Sequence, residues 1–197
     1  MKKTDAKISI IIGFLIGVFF FIILKNIGIK IPYLWILMIV FPPLSLLGMF
    51  IISLLGKRFL IILQIGKFLL VGALNTFIDM GVLNILIWIS GIASGVWYSI
   101  FKGISFLIAT TNSYLWNKHW TFEKRKEVFA PGEFSKFLIL TTIGFSINVG
   151  IASFVVNVIG PQLGLGAKIW ANVGAFTAVL VAWFWNFLGA KFIVFKK

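Results

Sequence analysis

Apolar residues in this chain come in long runs, and the polar residues punctuate them. The runs predict helical spans at about 8–24, 33–56, 68–90, 96–116, 137–160 and 169–190. Each is close to the ~20 residues that cross a bilayer. A hydrocarbon interior offers no water to an open strand, so these spans must be helices that satisfy their own backbones. The second holds Pro42-Pro43, which removes two backbone donors and is expected to kink or break it. The expected fold class is an all-α integral membrane protein of six transmembrane helices.

Composition strengthens that picture. Of 197 residues, 60% are hydrophobic and 12% charged, against about 25% charged in soluble domains. The net charge of +13 raises nucleic acid as a partner, but the basic residues sit in short clusters between apolar spans. No basic face with exposed polar structure is legible, so no nucleic-acid partner is expected. The chain has no cysteine, which excludes disulfides, thiol chemistry and thiolate-bound metals. The first run, "ISIIIGFLIGVFFFIIL", is long for a cleaved signal peptide and reads as a span.

Charge placement orients the spans. Lys2, Lys3, Lys7, Lys57, Arg58, Lys67, Lys118, Lys124, Arg125, Lys126, Lys136, Lys191, Lys196 and Lys197 fall on one side, and Lys25, Lys30 and Lys168 on the other. Basic loops stay in the cytoplasm, so both termini are expected there, in a multi-pass protein of the inner (cytoplasmic) membrane. Trp35, Trp88, Trp97 and Trp170 then mark the outer ends, and Trp116, Trp120, Trp183 and Trp185 the inner ends. This is the aromatic belt of a membrane protein.

Two stretches repeat. "KFLLVGALNTFIDMGVLN" starts at Lys67 and "KFLILTTIGFSINVGIAS" at Lys136. Ile78 falls on Ile147, Gly81 on Gly150 and Asp79 on Asn148. Further on, "NKHWTF" and "AKFIVF" place Lys118 on Lys191 and Phe122 on Phe195. Residues 67–122 and 136–195 therefore read as two parallel tandem helical hairpins, a layout that places sites between repeats. The domain reading is a transmembrane hairpin at 1–63 followed by a four-helix domain at 64–197. The first hairpin offers little chemistry beyond Gly13 and Gly17, a small-xxx-small spacing.

The pattern "KFLLVGALNTFIDMGVLNIL", then "NSYLWNKHWTF", then a second hairpin ending "FLGAKFIVF", resembles the GtrA-like membrane proteins. The resemblance covers about residues 64–197. In the second copy Asn and Trp are missing, so any role for them falls on Asn117 and Trp120 alone. The resemblance implies movement of a polyprenyl-phosphate-linked sugar between leaflets for cell-surface polysaccharide glycosylation. It also implies a membrane-attached glycosyltransferase as partner. A non-transporting anchor or regulator of such an enzyme is the second function it allows. Membrane lipids and a second protomer complete the expected partners.

No enzyme, metal site or cofactor is expected. The acids are only Asp5, Asp79, Glu123, Glu127 and Glu133, with His119 the lone histidine. No phosphate-cradling glycine loop is present. Asp79 lies twelve residues past Lys67, about 18 Å along a helix and near mid-membrane. There an ionised carboxylate costs about 2.5–3.5 kcal/mol. Asn75 shares its face one turn earlier. Lys102 either approaches Asp79 or snorkels outward. Asp79 serves a helix lock, sugar passage or proton coupling; a small proton-coupled exporter is the third function considered. Asn112, Ser113 and Asn117, with Asn148, Asn172 and Asn186 in the second hairpin, are the other candidates for a polar crevice. Lys118, Lys67, Lys136 and Lys191 are placed to form a basic rim for the lipid phosphate, with Trp120 and Phe122 anchored at the headgroup level.

The orientation is testable by single-cysteine labelling, which has no native background here. Cysteines at Trp97 and Lys168 should react from outside intact cells and one near Glu127 should not; outside labelling near Glu127 would reverse the topology.

Overall fold

The computed structural model describes residues 1–121 and 131–189, with the backbone alone described at 60–61, 118, 131–138, 141, 183–184 and 186–189. Regular structure among the described residues is entirely helical. Six α-helices follow in order: α1 Lys3–Asn26, α2 Leu37–Leu55, α3 Leu60–Ser90, α4 Gly95–Trp116, α5 Pro131–Ser153 and α6 Ala167–Gly189. A 3₁₀ turn, Leu34–Ile36, leads into α2, and π-helical turns at Asn117–Thr121 and Phe154–Ile159 follow α4 and α5. α1 starts before the apolar run, so Asp5 and Lys7 are helical; α3 likewise takes in Lys67.

Among the described residues, Lys3–Asn26, Leu34–Leu55, Ile62–Ser90 and Thr142–Ile159 are long and apolar enough to cross a membrane. A shorter apolar helix runs over Ala167–Ala182. α4 is not among them, because Lys102, Thr110, Thr111 and Asn112 interrupt its apolar run. Large apolar side chains such as Ile39, Phe50, Leu69 and Val158 are exposed, as a lipid solvent permits. α1 stops at Gly28, whose φ of +87° suits a residue without a Cβ. Gly28 N–H donates to Lys25 O (3.2 Å) and Ile29 N–H to Leu24 O (3.1 Å). This is the paired closure of a Schellman motif.

The chain divides into two compact units, Met1–Val82 with Ile108–Lys126, and Leu83–Leu107 with Glu127–Lys197. Two of the three cuts fall inside α3 and α4, and the third, between Lys126 and Glu127, falls between the two sequence repeats.

In the first unit α1 and α2 lie in close contact. A Cβ on Gly13 would sit 2.5 Å from Phe41 O and 2.7 Å from Pro42 Cα; one on Gly17 would sit 2.5 Å from Leu37 O. The two glycines thus let backbone meet backbone. α2 continues through Pro42 and Pro43, so of the expected kink or break the break does not occur. The prolines lie within its first two turns, and the chain there rests on the glycine face of α1. Ile12, Ile16, Met49, Val71, Leu74, Ile78, Ala109 and Trp120 form the core. Phe20, Phe41 and Phe77 pack beside it, with ring centroids 5.3–6.2 Å apart. Gly81 faces the Phe19 ring, whereas a Cβ on its repeat counterpart Gly150 would meet nothing within 4 Å.

In the second unit α6 turns Ala171, Ala175, Ala178 and Ala182, spaced by three and four residues, into the interior. Tyr98 is fully buried and donates to Ala171 O (2.9 Å). The tryptophans divide. Trp35, Trp88 and Trp97 are exposed, as an interfacial belt requires, but Trp120 and Trp170 are buried. Trp170 Nε1 donates to Val155 O at 2.9 Å, so its indole serves packing within the unit.

The α1–α2 approach gives a sharp stability test. Gly17→Ala should lower the melting temperature in detergent, because overpacking against backbone costs about 1–3 kcal/mol. Gly48→Ala, where a Cβ meets nothing within 4 Å, should hold or raise it. Equal tolerance of the two substitutions would mean that α1 and α2 do not approach this closely.

Candidate functional site

The segment that ends α4 is rich in polar residues, and several of its polar atoms bond along the helix. Trp116 Nε1 donates to Asn112 Oδ1 (3.1 Å), Asn117 Nδ2 to Ser113 Oγ (3.3 Å), and Thr121 Oγ1 to Asn117 Oδ1 (2.9 Å). All three pairs are four residues apart, the spacing at which helical side chains meet. At Asn117 the α-helix widens into the π turn Asn117–Thr121. The wider turn re-aims the residues after it, a device often found at functional sites.

Trp120 is one of the re-aimed residues, and it points inward. Its Nε1 donates to Asp5 Oδ1 at 2.9 Å. Lys67 Nζ reaches the same oxygen at 2.8 Å and stands 5.3 Å from the centroid of the Trp120 ring. Asp5 and Lys67 are each 2% exposed and Trp120 3%. Three helical segments far apart in sequence thus meet at one carboxylate oxygen. Removing one partner from such a buried pair costs on the order of 3–5 kcal/mol, because the other charge is left without its counter-ion.

Two of the expected site residues are thereby placed. Lys67 is buried against Asp5, and the indole N–H of Trp120 has its acceptor inside the protein. The first hairpin also carries more chemistry than expected, since Asp5 comes from α1. Its signal in the sequence was slender: a lone acid between Lys3 and Lys7.

At mid-span, Asp79 is 4% exposed and Lys102 fully buried. Lys102 therefore does not snorkel outward. Neither is without a partner, and Ser105 Oγ donates to Lys102 O (3.0 Å). Several amides of α3, α4 and α5 are less well served. Among the described residues, Asn75 Oδ1, Asn112 Nδ2 and Asn148 Oδ1 are buried with no hydrogen-bond partner. Asn112 uses only its oxygen, on Trp116. An unpaired buried polar atom of this kind costs about 1–3 kcal/mol.

In the second unit Asn172 is engaged with a residue that the sequence reading passed over. Asn84 Nδ2 donates to Asn172 Oδ1 (2.6 Å), and Asn172 Nδ2 returns a bond to Asn84 Oδ1 (3.0 Å) and gives another to Lys168 O (2.9 Å). Asn84 is wholly buried, and a mid-helix asparagine in an apolar run was the signal for it. Asn157, also unanticipated, holds the start of α4: Gly95 N–H donates to its Oδ1 (2.5 Å), while its Nδ2 donates to Gly95 O (3.1 Å) and Ser99 Oγ (3.3 Å). Phe122 and Lys191 lie outside the described residues, as do the side chains of Lys118, Lys136 and Asn186.

The Asn84–Asn172 pair is open to a double-mutant cycle with leucine. Interhelical bonds in membranes couple by about 0.6 kcal/mol on average and up to about 1.7, and a value in that range is expected from unfolding in micelles. Strictly additive losses would show that the two amides do not hold each other.

Residues 67–195 match the family model described as the GtrA/DPMS transmembrane domain. No curated protein and no solved structure matches the chain. The match begins at Lys67, takes in Trp120, and leaves α1, α2 and Asp5 outside. With more than half of its length matched and helices long and apolar enough to cross a bilayer, the chain is a multi-pass membrane protein that belongs to the GtrA/DPMS transmembrane-domain family.

Proposed function

We propose that the protein moves a polyprenyl-phosphate-linked sugar from the cytoplasmic to the outer leaflet of the inner membrane, for glycosylation of a surface polysaccharide. In this reading six helices span the bilayer, the last four as two tandem hairpins, and both termini lie in the cytoplasm. A membrane-attached glycosyltransferase supplies the lipid-linked sugar. Lys118, Lys136 and Lys191 form the rim that meets its phosphate, and the protein itself performs no covalent chemistry.

The observation that carries the reading is the set of buried amide atoms without partners: Asn75 Oδ1, Asn112 Nδ2 and Asn148 Oδ1. A sugar leaving water gives up hydrogen bonds that an apolar path cannot replace. Amides already buried and unpaired replace those bonds at no further desolvation cost. The prenyl tail needs no such help and stays in lipid. Consumption of the sugar outside draws the flow, so no nucleotide site is required. The rival reading, a non-transporting anchor, draws on Asp79 and Lys102 being buried with internal partners, as a helix lock would be.

Reconstituted vesicles separate the two. The measured quantity is lipid-linked sugar reaching the far leaflet per folded molecule. Asn75→Ala and Asn148→Ala should cut it about tenfold while changing stability by less than about 1 kcal/mol, since no internal bond is lost. Asp79→Ala should abolish transfer and Asp79→Asn retain part of it, as Asn148 occupies the matching position in the second repeat. Wild-type transfer in all four variants would leave these residues structural and favour the anchor.

A further inference from the structure

We propose that Lys67 Nζ and Trp120 Nε1 form an oxyanion site for the phosphate of the lipid substrate, and that the Asp5 carboxylate fills this site when no substrate is bound. The choice of ligand rests on the function proposed above. The site itself rests on its geometry.

Two donors of different chemistry converge on one oxygen. Lys67 brings a full positive charge at 2.8 Å, and Trp120 brings a neutral N–H at 2.9 Å. A charged and a neutral donor on one oxygen suit any compact oxyanion, carboxylate or phosphate. The Trp120 ring, 5.3 Å from Nζ, also steadies the cation whatever the anion is. Both donors belong to the family-matched segment 67–195, whereas the acceptor lies outside it. The site is thus part of the shared domain, and its present occupant belongs to the added helix.

The occupant is held in a way that lets it leave. Asp5 lies in the first turn of α1, whose N-cap is Lys2 and carries no side-chain cap bond. The first backbone N–H groups of a helix have no intrahelical acceptors, so an uncapped first turn gives up few backbone bonds when it frays. The cost of fraying is the lost contact of Asp5 with Lys67 and Trp120, which another anion taking its place restores. A lipid phosphate at the cytoplasmic interface is such an anion. Exchange of one oxyanion for another moves no proton and breaks no covalent bond.

The self-occupied state lowers the apparent affinity by the fraction of molecules whose site is open. Affinities of the full chain in nanodiscs of neutral lipid are measured for polyprenyl monophosphate, the uncharged prenol, inorganic phosphate and added phosphatidylglycerol. Asp5→Asn should bind polyprenyl monophosphate about tenfold tighter than the wild type, and the prenol no tighter. Asp5→Leu with Lys67→Met replaces the pair by apolar groups, a change that buried ion pairs commonly tolerate. This double variant should bind polyprenyl monophosphate more weakly than the wild type. An Asp5→Asn protein that binds no tighter, or a double variant that binds as tightly as the wild type, overturns the site. The second comparison decides alone if Asp5→Asn does not fold. An equal gain for inorganic phosphate or for phosphatidylglycerol keeps the oxyanion site but rejects the prenyl lipid as its ligand. Wild-type sugar transfer measured alongside separates the two claims: transfer that persists while the affinities fail this ranking removes the site and leaves the transport reading intact.

Discussion

A polar group removed from water must find its partner inside the protein, and in lipid this constraint has no exceptions at the surface. Its consequences run through the whole chain. Asp5 and Lys67 neutralise each other and draw in the indole N–H of Trp120. Asn84 and Asn172 exchange two bonds. Asn112, Ser113, Asn117, Trp116 and Thr121 bond along one helix face. Against that background of paired groups, Asn75 Oδ1, Asn112 Nδ2 and Asn148 Oδ1 stand out as atoms whose cost is not offset by any described residue. Natural sequences keep such atoms where something else uses them.

Much of the architecture was legible because a bilayer enforces it. A helix must be about 20 residues long to cross, and apolar runs of that length are visible by inspection. All six helices overlap the runs that placed them, although α1, α3 and α5 begin five to eight residues earlier than the runs do. The small-xxx-small spacing of Gly13 and Gly17 carried real information about the α1–α2 approach, although glycine is common in membrane helices. Gly81 and Gly150, equivalent in the sequence repeat, turned out unalike. One faces the Phe19 ring and the other open space, because a matching residue type does not fix what packs against it.

The site was less legible, for a definite reason. Depth in the membrane can be counted along a helix, which is why Asp79 was expected near mid-span; it is buried, and Lys102, left between an approach to Asp79 and snorkelling, is buried too. Rotation and long-range pairing cannot be counted that way. Lys67 and Trp120 looked like interfacial residues because they flank the apolar runs, where lysine and tryptophan usually face the headgroups. The π turn at Asn117–Thr121 re-aims Trp120, and α1 begins early enough to bring Asp5 against both. Neither event leaves a periodic trace. Asn84 was missed for the opposite reason: it lies in a run so apolar that the run was read as filler, when an asparagine there demands a partner.

The scarcity of acids gives the Asp5 contact its weight. The chain carries 18 basic residues and 5 acidic ones. Glu123 and Glu127 belong to the charged stretch after α4, Glu133 to the first turn of α5, and Asp79 lies at mid-span. Asp5 is therefore the acid that α1 supplies, and it is spent on the lysine with which the family-matched segment opens. If that contact served only to fasten α1 to the first unit, apolar packing would do so without desolvating two charges, since replacing a buried ion pair by hydrophobic groups is often neutral or stabilising. The α1–α2 glycine contact and the core around Ile12 and Ile16 already supply such packing. What a carboxylate adds is a negative charge that a lysine and an indole can release to another anion. That property is of use to a protein whose ligand carries a phosphate, and of none to a simple fastening.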